Sequence, residues 1–118
     1  MNSLVKSSIM LIILDSIFIY FIKGRFNNQI QLVQNSPMKI DFISAILTYI
    51  LLIFALYYFI IKENKSEKDA FILGFCIYGV YELTTKSLLE KWSYETVIID
   101  TLWGGVLFCL TTYLIKLF

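Results

Sequence analysis

The chain has 118 residues, 58% of them hydrophobic, with a mean hydropathy of +0.75 and a net charge of +1. A soluble chain this small cannot bury so large an apolar fraction in one core, so the composition calls for lipid as solvent. The near-neutral balance leaves no basic surface for nucleic acid, and the absence of histidine removes the commonest general base and metal ligand. Cys76 and Cys109 lie in apolar runs without a CxxC pattern and read as small packing residues.

Crossing a bilayer as a helix takes about 20 apolar residues. Four segments qualify, at residues 4–22, 40–61, 70–89 and 96–118. The spacing predicts an all-α, multi-pass, four-helix up-down membrane bundle with short loops, forming one domain over residues 1–118. The N-terminal stretch lacks a small-residue cleavage site and contains Asp15, so it is expected to stay as a span rather than leave as a signal peptide. The first connection, KGRFNNQIQLVQNSPMK, is the longest; FNNQIQLVQ is expected to form a short interfacial helix, and Ser36-Pro37 offers a start signal for the second span. Ser66 to Asp69 fits a capping box before the third span. Ser93 is placed to cap the fourth, with Glu95 near its positive end. The run KENKSEKD between spans two and three is a solvated turn of mixed sign. Trp92 and Tyr94, beside the last connection, are placed as interfacial belt residues.

Up-down alternation brings the intramembrane charges to one side. Asp15 lies late in span one and Asp41 opens span two. Glu82 and Lys86 fall in the last half of span three, and Asp100 sits about one turn into span four. At 1.5 Å per residue all fall within roughly 12 Å of the same surface. Each helix offers a face for these groups: Ser8, Leu11/Ile12 and Asp15; Asp41, Ser44, Thr48 and Ala55; Gly74, Tyr78, Glu82 and Lys86; Asp100, Gly104, Leu107 and Thr111. Glu82 and Lys86 are expected to pair at i,i+4 inside the bundle. Ionisable groups in a membrane cost at least ~2.5–3.5 kcal/mol each, which makes Asp15, Glu82, Lys86 and Asp100 candidates for binding a proton or ligand. Asp41 is expected to be interfacial. Tyr78, Tyr81, Thr85 and Trp103 are candidate pocket-lining residues, and Gly104-Gly105 reads as a close-packing site.

The block YGVYELT on span three, with IIDTLWGG on span four, resembles the family of small membrane proteins filed as domain of unknown function twenty-one seventy-seven. The resemblance rests on Tyr78, Gly79, Tyr81, Glu82, Leu83 and Thr84, then Asp100, Trp103 and Gly104, with Leu14-Asp15 on span one. It covers nearly the whole chain and is most specific over residues 74–107. Thr85 departs from the pattern, where an amide such as Asn is expected. The resemblance implies a four-span membrane protein and no assigned activity, while its pattern falls on Asp15, Glu82 and Asp100.

Lysine and arginine divide five against five between the two sides, so charge does not set the orientation. Two functions fit. One is proton- or cation-linked transport or channel activity, with a homodimer expected because four short spans enclose little volume. The other is an accessory membrane protein whose charge network fixes helix packing or binds a partner. An enzyme is not expected, since no nucleophile–base, metal or phosphate-binding constellation is present, and no cofactor or metal is called for. The two functions separate by mutation. Transport predicts folded, inactive Glu82→Gln and Asp100→Asn proteins; a packing network predicts lost assembly, with Lys86 loss equally damaging.

Overall fold

The computed structural model describes residues 2–36 and 40–118. They form α1 (Ser3–Gln34), α2 (Phe42–Leu56), α3 (Glu67–Leu88) and α4 (Tyr94–Leu117), and α2 runs on through a π-helical turn at Tyr57–Ile61. The helices pack as an up-down bundle. At one end the Lys6 ammonium donates to the Phe118 carbonyl at 2.8 Å, and Lys116 pairs with Glu67 at 3.1 Å. At the other end Arg25 of α1 pairs with Glu95 of α4 at 2.9 Å. Glu67 stands at the solvated end, where its own backbone amide and then the Lys116 ammonium hold its carboxyl below the usual carboxylate range.

α1, α2 with its π turn, and α4 are each long and apolar enough to cross a membrane. α3 has the length but carries five charged residues, Glu67, Lys68, Asp69, Glu82 and Lys86. All four helices nonetheless present large apolar side chains outward: Phe21 is 79% exposed, Ile43 74%, Val80 68% and Ile98 57%. An apolar girdle on every side fits a lipid environment and would not be stable in water.

Local chemistry sets the helix ends. Ser66 accepts the Asp69 N–H and Ser93 accepts the Thr96 N–H, each at 3.1 Å, as the capping pattern predicts. The second span starts differently. Asp41, not Ser36, is its cap, accepting the amides of Ile43 and Ser44; Pro37 lies outside the described residues. The expected short interfacial helix is also absent, because α1 continues unbroken for 32 residues. Its last turns have something to pack on. Phe26, Gln29, Ile30 and Val33 recur at i, i+3, i+4 and i+7 and are at least partly buried. Gln29 there donates to the Lys91 carbonyl and accepts from the Ser93 amide and the Thr96 hydroxyl, so α1 clamps the α3–α4 connection.

α3 and α4 pack along most of their length, α1 packs on α4, and α2 leans on α1 and touches α3 lightly. The face of α2 that turns inward is aliphatic, with Leu52, Leu56 and Ile60 buried and Tyr49 beside them, while the predicted stripe of Asp41, Ser44 and Thr48 stays exposed. Burying branched hydrocarbon gains contact area; the small polar groups satisfy themselves locally, as in the Thr48 hydroxyl bond to the Ser44 carbonyl. Those aliphatic residues join Leu11, Ala70, Leu107 and Phe108 in one core.

The α3–α4 seam is close because of glycine. A Cβ built on Gly74 would collide with the backbone carbonyl of Gly104, one on Gly104 with the Tyr78 ring, and one on Gly105 with the Phe71 ring. A Cβ on Gly24 meets nothing. Gly74→Ala and Gly104→Ala are therefore expected to lower thermal stability in detergent, whereas Gly24→Ala is neutral or raises it by up to about 1 kcal/mol through helix propensity. A melting series on the three variants checks this.

Candidate functional site: buried carboxylates beside a lateral cleft

Three carboxylates are buried in the bundle, Glu82 and Asp100 toward the α3–α4 connection and Asp15 nearer the middle. Asp15 reaches from α1 into the space between α2 and α4. One oxygen accepts the Trp103 indole N–H at 2.9 Å and the other accepts a short hydrogen bond from the Tyr49 hydroxyl. The Trp103 ring lies flat on Phe18, 4.5 Å between centroids and 3° from parallel. Asp15 thus ties three helices together with both oxygens satisfied.

Glu82 and Asp100 form a second unit on α3 and α4. Glu82 is fully buried; Oε1 accepts the Trp92 indole N–H at 2.8 Å, while Oε2 meets no donor among the described residues. The Asp100 carboxyl lies within hydrogen-bonding reach of Glu82. Ionised carboxylates only accept, so two of them side by side call for a proton or a cation between them. No Lys or Arg among the described residues makes an ion pair with Asp15, Glu82 or Asp100.

Lys86 does not supply that charge. The predicted Glu82–Lys86 pair is not formed. The Lys86 ammonium turns to the Glu90 carbonyl at 2.9 Å and lies 4.9 Å from the centre of the Tyr94 ring. At the last turn of α3 it reaches free carbonyls and the aqueous edge, which costs less than burial beside Glu82. Thr85 also stays out of the site, its hydroxyl donating to the Tyr81 carbonyl of its own helix. Asp41 is exposed and acts as a helix cap.

The light α2–α3 seam opens into a cleft of about 550 Å³. Leu51, Leu52 and Ala55 of α2 and Ile77 of α3 form its apolar wall. Tyr78, Tyr81 and Thr48 add polar edges, and Asp100 of α4 is its one carboxyl. The structure therefore brings together Asp15, Glu82, Asp100, Trp103, Tyr78 and, at the outer edge, Tyr81, and leaves out Lys86 and Thr85.

Three participants escape the sequence reading. Tyr49 follows Thr48 in a largely apolar run, on a different face from the polar stripe and with no charged residue nearby to mark it. Trp92 flanks a loop like a belt residue, yet it is 6% exposed and packs near Phe26; only Tyr94, 66% exposed, occupies a belt position. Gln29 lies in a segment expected to form a separate interfacial helix; the helical stripe it shares with Phe26, Ile30 and Val33 is the signal that could have found it.

The family model described as Predicted membrane protein (DUF2177) matches residues 1–116. No curated protein and no solved structure matches the chain. Removing one donor from Asp15, by Tyr49→Phe or Trp103→Phe, leaves a buried carboxylate oxygen unpaired and is expected to cost about 1–3 kcal/mol of stability. Lys86→Gln is expected to change stability by less than about 0.5 kcal/mol. Thermal unfolding in detergent separates the two cases.

Proposed function

The chain belongs to the DUF2177 family of predicted membrane proteins, and from that premise we propose that it is a non-enzymatic, proton- or cation-linked transport protein whose exchangeable site is the Glu82–Asp100 pair. One observation carries this reading: a fully buried glutamate oxygen without a donor, beside a second carboxyl and without a basic partner. A structural network tends toward complete pairing, as at Asp15. An exchange site needs an unfilled position that a proton or cation can enter and leave.

Trp92 bonds Glu82 directly, Asp15 of α1 and Tyr78 and Tyr81 of α3 are near enough to act on the pair electrostatically, and Tyr49 of α2 bonds Asp15. In this reading α3 crosses the bilayer with α4, its charges covered by that packing. A homodimer belongs to the proposal, because four short helices enclose little volume. The accessory-protein reading draws support from the Asp15, Tyr49 and Trp103 unit, which is complete and joins three helices.

Liposomes loaded with a pH-sensitive dye and driven by a potassium-diffusion potential test the proposal. Wild type is expected to pass protons, and Glu82→Gln and Asp100→Asn to lose at least about tenfold of that flux while still eluting as folded species. Flux absent from wild type, or unchanged in both variants, overturns it. Variants that dissociate in detergent favour the packing network.

A further inference from the structure

We infer that the cleft between α2 and α3 receives a small lipophilic cation, held against Asp100 and admitted sideways from the lipid. This rests on the reading of Glu82–Asp100 as the exchangeable pair and names what exchanges with its proton. The volume, about 550 Å³, is within the range of sites that hold small organic molecules.

The lining fixes the occupant's chemistry. An acyl chain would fit the aliphatic wall but would leave the Asp100 carboxyl facing hydrocarbon with nothing to neutralise it. An anion would meet a carboxyl and no lysine or arginine. A bare metal ion would find one carboxyl in a greasy cleft, and no group of three metal-binding side chains occurs among the described residues. An organic cation satisfies both surfaces. Its apolar body covers Leu51, Leu52 and Ile77, and its charge reaches Asp100 with the Tyr78 and Tyr81 rings nearby.

The route follows from packing. α2 is anchored through Leu52, Leu56 and Ile60 and touches α3 lightly, and the lining residues Leu51 and Tyr81 are exposed on the outer surface of the bundle, so the cleft is open to the side. Binding is a one-for-one exchange. At rest a proton occupies the position between the Asp100 carboxyl and Glu82 Oε2; the cation neutralises Asp100, and that proton is released to solvent with no covalent change.

The test uses the full chain in nanodiscs, with phenyltrimethylammonium as probe and tert-butylbenzene as its uncharged isostere, each compared with empty discs by equilibrium dialysis. Wild type is expected to retain the cation above the empty-disc level and to show no excess of the isostere. Asp100→Asn, and Ala55→Trp, which fills the cleft away from the carboxyls, are each expected to weaken retention at least about tenfold. No charge selectivity in wild type, or equal retention by folded Asp100→Asn, overturns the inference. Wild-type selectivity decides even where both variants misfold. Protons released on binding, measured in weak buffer, separate this inference from the reading beneath it. Retention without release keeps the cleft assignment and removes the exchange. Proton flux abolished by Glu82→Gln, with no retention, keeps the exchange site and removes the cation.

Discussion

The backbones of α3 and α4 come together at Gly74 and Gly104, and the positions of the other parts follow from that approach. In lipid, hydrocarbon burial gives helices little reason to associate, so close backbone contact and interhelical hydrogen bonds must do it. With no Cβ in the way, Tyr78 lays its ring on Gly104 and Phe71 lays its ring against Gly105. About two turns farther along α3 from Gly74, the same seam places Glu82 against Asp100. Two carboxyls become neighbours because two glycines are.

α1 acts as the brace for this pair. Its length lets one helix supply Asp15 within the bundle and Phe26 and Gln29 beyond it. Gln29 fixes the connection that carries Trp92, and Trp92 in turn holds one oxygen of Glu82. The carboxylate with an empty position is therefore steadied from outside the bundle core, leaving the space beside it unfilled. α2 contributes least to packing and, for that reason, leaves the cleft. Its aliphatic face packs into the core through Leu52, Leu56 and Ile60, while Thr48, Leu51 and Ala55 border the cleft.

Much of this was legible in the sequence. Hydropathy and alternation gave the helical membrane class, spacing put Asp15, Glu82 and Asp100 in one half, and capping residues marked two of the helix starts. The failures share a physical cause. Lys86 was assigned to Glu82 by i,i+4 spacing, but spacing states reach and not solvent: at a helix end the ammonium has free carbonyls and water to choose from. Small polar groups often mark contact faces in membrane helices, but the polar stripe of α2 faces outward because its members bond within their own turns. Tyr49 and Trp92 act through a single polar atom on a large apolar ring, and hydropathy gives no direction for that atom.

The chain has two tryptophans, and both indole N–H groups end on carboxylates of the cluster, Trp92 on Glu82 and Trp103 on Asp15. Indole emission responds to charge placed along the ring, so each fluorophore is an electrometer built beside one acid. Replacing either tryptophan by phenylalanine isolates the signal of the other. The two carboxylate environments are then separable by colour and intensity in the two single-tryptophan proteins, without any label.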